Sequence, residues 1–249
     1  MDQQELFVRS TLDCSLQPSL FYAAQTKEKR PLLVGLHTWS HDRYNQIHNL
    51  LPYVERMQFN LLLPEFRGPN LLENPNCKQA CGSLYAKQDI KDAIDHVVAL
   101  DLVDTDNIFL VGMSGGGQMA LLMAGFCPEY FKCISAFVPL CDLPAWEPTP
   151  RYIEHIWACC GSEEEMRKRS PISYLDKIAL SNTKIFHGKH DPVVPVSQSI
   201  HFYNQLIEKY PAASVYLDIF DGGHQFDLKL AAHWIESQYT GTEKNDVTG

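Results

Sequence analysis

Ser114 stands in the stretch Gly112-Met113-Ser114-Gly115-Gly116, with an apolar run, Asn107 to Val111, before it and a helix-like run, Gln118 to Ala124, after it. A serine on a sharp strand-to-helix turn presents its hydroxyl above the sheet edge, and flanking glycines relieve the crowding such a turn creates. The N–H of Gly115 then opens a helix, where it can donate to a developing oxyanion. A serine hydroxyl is a weak nucleophile at neutral pH, so it needs a base to take its proton and a carboxylate to orient that base. His224 follows the run Ser214 to Phe220 through Asp221-Gly222-Gly223, and Asp191 follows Ile185 to His190 in the same relation to its own run. Ser114, Asp191 and His224 thus each occupy the loop after a successive strand-like segment.

Each of these residues also has a structural reading. Asp191 before Pro192 suits a turn or helix cap, and a histidine after two glycines suits a polar loop. Asp142, after the run Cys133 to Leu140, is the alternative acid, while His187 is expected to pack or hydrogen-bond at a strand end. The second oxyanion donor is expected from His37-Thr38-Trp39-Ser40, with the N–H of Trp39 preferred and that of Thr38 as the alternative. The Trp39 indole either walls a substrate pocket or packs as core. Such chemistry needs no metal or organic cofactor.

The elements that must hold these residues are legible as alternating patterns. Leu6 to Leu12 and Ser19 to Ala24, parted by Gln17-Pro18, read as an antiparallel hairpin at a sheet edge. Short continuous apolar runs at Leu32 to Leu36, Asn60 to Pro64, Asn107 to Val111 and Cys133 to Leu140 read as strands buried on both faces. Further strands are expected at Thr183 to His187 and Ser214 to Phe220. Helical spacing marks Tyr44 to Met57, Tyr85 to Leu100, Ser197 to Lys209 and Phe226 to Tyr239. This alternation predicts an α/β fold with a mostly parallel central sheet of about eight strands and helices on both faces. Residues 141–176 break the alternation, with two short helix candidates at Tyr152 to Cys160 and Ser162 to Arg169, and read as a small cap insertion. The expected organisation is one domain over residues 1–240 and a polar tail over 241–249. Trp146, Tyr152, Ile156 and Trp157 of the cap either line the substrate site or pack at the surface.

At 249 residues the chain has room for one sizeable core but not for a second large module. A hydrophobic fraction of 45% with 20% charged residues disfavours a disordered class. No apolar run reaches the roughly 18 residues of a membrane span, and the polar start Met1 to Glu5 lacks the pattern of a secretory signal. The net charge of −9 disfavours nucleic acid and anionic membranes as partners. Arg167-Lys168-Arg169, directly after Glu163-Glu164-Glu165, reads as a solvated helix face. The eight cysteines, several in apolar segments, are expected to be reduced in a cytoplasmic protein. Cys77 and Cys81 lack a second pair at zinc-finger spacing. The expected partner is a small-molecule or short-peptide substrate, with the oligomeric state open.

With these residues in place, the chain resembles the catalytic domain of the prolyl oligopeptidase family, within the α/β-hydrolase superfamily, from about Pro31 to Tyr239. The pieces that carry the resemblance are Phe66-Arg67-Gly68, Gly112 to Gly116, Ser170-Pro171-Ile172, His187 to Pro195 and Gly222 to Phe226. The resemblance implies an α/β-hydrolase fold and a serine hydrolase that passes through an acyl-enzyme, acting on small esters or peptides. Two features depart from the family pattern: the oxyanion loop reads His-Thr-Trp-Ser rather than consecutive glycines or a tyrosine, and these 249 residues do not include the usual N-terminal propeller. The alternatives are therefore a carboxylesterase deacylating small or carbohydrate esters, and a non-catalytic binder on the same scaffold. The binder would be marked by loss of the serine, the acid or the histidine, and all three are retained.

Overall fold

A computed structural model describes residues 1, 3–146 and 150–239. The polar tail expected at 241–249, and residues 147–149 of the expected cap, lie outside the described residues. Among the described residues eight strands form one sheet: β1 (Gln3–Arg9), β2 (Leu16–Tyr22), β3 (Arg30–Leu36), β4 (Asn60–Pro64), β5 (Val103–Met113), β6 (Cys133–Phe137), β7 (Thr183–Gly188) and β8 (Val215–Phe220). Their spatial order is β1-β2-β4-β3-β5-β6-β7-β8. β1 and β2 pair antiparallel, as do β2 and β4, and every other pairing is parallel. The α/β-hydrolase architecture expected from the sequence is therefore present, with the hairpin at its edge.

The apolar runs feed two cores at once because successive side chains of a strand point to opposite faces. On β3, Leu32, Val34 and Leu36 enter one core while Leu33 enters the other, and on β5 Ile108 and Leu110 are divided in the same way from Phe109 and Val111. The first core is closed by α2 (Leu84–Val98), α3 (Gly115–Phe126), α6 (Leu175–Ile178) and α7 (Ser197–Lys209). The second is closed by α1 (Ile47–Met57) and α8 (Leu228–Gln238). From the central β3 the chain crosses first to β4 on one side and then to β5 on the other. The crevice at that reversal, outside the carboxyl ends of the strands, is where an open α/β sheet presents reactive groups. The loops after β3 and β5 border it.

Several boundaries differ from the sequence reading for local reasons. β5 starts at Val103 rather than Asn107, because Val103 pairs with Arg30 across an irregularity that carries the polar residues 104–106 within the strand. β6 stops at Phe137 rather than Leu140, because Val138 adopts a positive φ of 41°. Pro18 lies inside β2, opposite Phe7 of β1, and is tolerated because the pairing with β4 begins only at Ser19. α1 begins at Ile47, since Asp42 turns the preceding segment by accepting the Tyr44 and Asn45 N–H groups.

Between β6 and β7 lie α4 (Pro150–Cys160), α5 (Glu163–Lys168) and α6. α5 is capped by the Ser162 hydroxyl, which accepts from Glu165 N, with acidic residues in its first turn and basic ones in its last. Arg167 and Lys168 pair with Glu163 and Glu164 as a solvated face should. Arg169 does not belong to that face: it is 7% exposed and donates to the carbonyls of Ala80 and Lys78. All eight cysteines are free. The tertiary fold brings Cys159 and Cys160 to Cys81, a grouping the spacing alone did not reveal. Among the described residues, no group of three or more His, Cys, Asp or Glu side chains is arranged to hold a metal ion, and no helix is long and apolar enough to cross a membrane.

Candidate active site

Ser114 joins β5 to α3 at φ 57° and ψ −118°, a backbone conformation costly for any residue with a Cβ. The turn is held by its neighbours: Ser114 N donates to Phe137 O at 2.9 Å, and Ser114 O accepts from Gln118 N at 2.9 Å. Gly112 is obligatory beneath it, since a Cβ there would lie 2.1 Å from the carbonyl oxygen of Gly116. At Gly115 a Cβ would lie 2.9 Å from the backbone nitrogen of Trp39, so the bare glycine is what allows the loop after β3 to close on the start of α3. That approach brings the Trp39 backbone against the first residue of α3. The Thr38 N–H is already engaged, donating to Asn45 Oδ1 at 3.1 Å.

His37 anchors this loop from below. Its ring stacks on Phe66 with centroids 3.9 Å apart, and its two nitrogens lie 2.9 and 2.8 Å from the carbonyl oxygens of Thr38 and Glu65. Burial pushes its pKa down. Trp39 is buried against Trp146 and Tyr152 in edge-on contacts, its Nε1 has no hydrogen-bond partner among the described residues, and the residue also borders the cavity above Ser114. Both sequence readings of its side chain hold together.

Asp191 divides its two oxygens between two tasks. Oδ1 accepts from Val193 N and Val194 N at 2.8 and 2.9 Å, which is the turn-capping role, and Oδ2 lies 2.8 Å from His224 Nδ1. The carboxylate is fully buried and His224 is 17% exposed. Burial alone would raise the Asp191 pKa; the hydrogen bonds from His187, His224 and the Val194 and Val193 N–H groups outweigh it and hold the carboxyl well below the usual carboxylate range. His187 does pack and hydrogen-bond at its strand end, with Nε2 2.9 Å from Val194 O and Nδ1 2.7 Å from Ser199 Oγ. It also brings Nε2 to 3.5 Å from Asp191 Oδ2, a second ring on the same carboxylate that sequence reasoning missed. The pattern His187-x-x-x-Asp191 was visible, but only the turn after β7 brings the imidazole back onto the acid.

Asp142 is not positioned to replace Asp191. Its carboxylate accepts from Ala145 N at 3.4 Å, and it borders a separate cavity with Gln198 and His201. Ser114 and His224 line a common cavity of about 370 Å³ with Thr38, Trp39, His41, Met113 and Tyr152. Of the four cap aromatics and aliphatics singled out in the sequence, Tyr152 alone borders that cavity. Trp146 packs behind Trp39 and donates to Val193 O at 3.0 Å, Ile156 is buried, and Trp157 is 51% exposed beside a second apolar cavity. Met113 was missed, because its position before the serine gives no hint of which way its side chain faces.

Residues 78–240 match the prolyl oligopeptidase family (Peptidase_S9). The chain belongs to that family. It is one of a family of serine hydrolases, and its relatives include acylamino-acid-releasing enzyme 2 of Oryza sativa subsp. japonica, 24% identical over 77% of this chain and 27% of that protein. The human acylamino-acid-releasing enzyme is 24% identical over 72% of this chain and 26% of its own length. The chain thus spans about a quarter of the length of the curated relatives it matches. Among solved structures, the acylaminoacyl peptidase of Pyrococcus horikoshii superposes with a TM-score of 0.78 at 18% identity, over 98% of this chain and 43% of that one. A puromycin hydrolase superposes at 0.77 with 17% identity, over 95% of this chain and 38% of that one. This prolyl oligopeptidase family member therefore shares their α/β-hydrolase fold.

Proposed function

We propose that this family member is a serine hydrolase acting through an acyl-enzyme on small substrates, with the amide bonds of acylated short peptides as its main class. The observation that carries the reading is the 2.8 Å contact of His224 Nδ1 with the buried Asp191 carboxylate, beside the same cavity that Ser114 borders from its strained turn. In this mechanism Ser114 Oγ attacks the carbonyl carbon while His224 Nε2 takes its proton and Asp191 stabilises the imidazolium. The N–H groups of Gly115 and Trp39 receive the oxyanion. His224 then returns the proton to the leaving amine and deprotonates the water that releases the acyl group. The preference for acylated peptides is supported by the acylamino-acid-releasing relatives. The eight free cysteines support a reducing, cytoplasmic setting. Residues 1–240 are read as one catalytic unit, with 141–176 as a cap that contributes Tyr152 to the cavity.

A fluorophosphonate probe tests the chemistry: the wild-type protein is labelled and Ser114→Ala is not. Absence of label on folded wild type would refute a hydrolytic site. Substrate class is tested by comparing N-acetyl dipeptide amides, p-nitrophenyl acetate and acetylated or feruloylated sugars under one set of conditions. Higher kcat/KM for the amides supports the peptidase reading; activity confined to the esters overturns it in favour of a carboxylesterase.

A further inference from the structure

Lys87 is a buried cation that the catalytic groups do not use. It lies on α2, 9% exposed, with its ammonium over the rings of Phe126 and Tyr174 at 5.5 and 5.3 Å from their centroids. Among the described residues no carboxylate or carbonyl oxygen is paired with that ammonium, and it is not sealed from solvent. A long amine is normally buried only when a partner offsets its desolvation. Burial, and the nearby Arg169, push its pKa down, which is the opposite of what a resident anion would do.

The opening beside Lys87 is a cavity of about 390 Å³, within the range of small-ligand sites. Lys78, Lys168 and Arg169 line it with Lys87, against the single carboxylate of Glu165. Lys168 and Arg169 already pair with Glu165, and Arg169 also with backbone carbonyls, so they set a positive field without pairing Lys87. The N-cap Ser83 and the first two residues, Leu84 and Tyr85, of the 15-residue helix α2 border the same cavity, adding the positive end of its dipole. Tyr85 and Tyr174 form apolar walls. The floor leads to the nucleophile helix, since Arg169 O accepts from Gln118 Nε2 at 2.8 Å, one turn beyond Ser114.

We propose that this cavity, distinct from the one over Ser114, is an anion-binding site that takes a phosphoryl group, free or carried on a small metabolite, with Lys87 as its principal ligand. Several cations and a helix N-terminus converging on one opening suit a compact dianion, and the aromatic walls leave space for an organic substituent. Two aromatic faces hold the Lys87 ammonium in place, and among the described residues no anion is paired with it, which leaves that role to the ligand.

The test is calorimetric titration of the full chain with inorganic phosphate and with phenyl phosphate, at constant ionic strength against a chloride control. Saturable one-site binding is expected, weakened about tenfold or more in Lys87→Met, which keeps the aliphatic stem and removes the charge. Tighter binding of phenyl phosphate identifies an organic phosphate as the ligand; equal binding identifies the free anion. Binding that does not saturate, or is unchanged in Lys87→Met, means an adventitious ion only and overturns the proposal. Should Lys87→Met fail to fold, the wild type is read directly: phosphate must raise the titration midpoint of the Lys87 13Cε resonance, and an unmoved midpoint overturns the proposal equally.

Discussion

Replacing Asp191 by asparagine exchanges one atom and, on this geometry, decides which nitrogen of His224 carries the proton. The N–H groups of Val193 and Val194 converge on the buried Oδ1 at 2.8 and 2.9 Å. The asparagine oxygen must take that place, because the opposite orientation sets a buried NH2 group against two donors. The NH2 group then faces His224 Nδ1 and donates to it, so the neutral ring carries its proton on Nε2. That nitrogen is the one that must accept from Ser114. The same NH2 also confronts His187 Nε2, whose own hydrogen is directed to Val194 O at 2.9 Å. The expected result is a fall in kcat of about 10⁴-fold, equivalent to about 5.4 kcal/mol of barrier, with KM nearly unchanged because no substrate contact is lost. Steady-state hydrolysis of p-nitrophenyl acetate measures it, with circular dichroism confirming the fold. A loss of kcat smaller than tenfold would refute both the tautomer argument and the assignment of Asp191 as the acid.

Three further outcomes are expected. Asp191 is held ionised well below the usual carboxylate range, so its contribution to stability is complete above the unfolded value of about 3.9 and is lost as pH falls through the lower folded value. Calorimetric melting should therefore show wild type most above Asp191→Asn near neutral pH, with the gap shrinking only below about pH 4. Gly115→Ala places a Cβ 2.9 Å from Trp39 N and forces the oxyanion loop away; kcat should fall about 10²- to 10³-fold, and fluorophosphonate labelling should slow in parallel. Arg67 is buried with a 2.5 Å contact to Asp89 and further bonds to Asp13 and Gln79, so Arg67→Ala strands a buried carboxylate and should cost about 3–5 kcal/mol in urea unfolding. A cost under about 1 kcal/mol would show that Asp89 is solvated or protonated instead.

Much of the scaffold was legible because burial on both faces leaves an unmistakable trace. Leu32 to Leu36 is apolar without interruption since its side chains enter two different cores, and the strand-turn-helix around Ser114 is written in glycines that nothing larger can replace. Strand limits were less legible where backbone pairing, rather than hydrophobicity, sets them. Residues 104–106 are polar and yet belong to β5, while Val138 is apolar and yet leaves β6, because its backbone turns to a positive φ. Arg169 shows the same limit for charge, since a basic triplet after three glutamates looks uniform in sequence although its last member is buried.

The sequence by itself determined the order and loop positions of Ser114, Asp191 and His224, and with them the chemistry such a set can perform, because a strand's end fixes where its next loop emerges. Tertiary structure decided what spacing cannot express. It hydrogen-bonds the Asp191 carboxylate to His224 and turns that of Asp142 toward a different cavity. It engages the Thr38 N–H with Asn45 and packs the Trp39 backbone against Gly115. It also folded His187 back onto Asp191 and gathered Lys87 and Arg169 around one opening. Each of these outcomes depends on direction as well as proximity: a hydrogen bond or a buried charge is satisfied only when two segments distant in the chain meet at the correct angle, and that angle is set by the packing of the whole sheet.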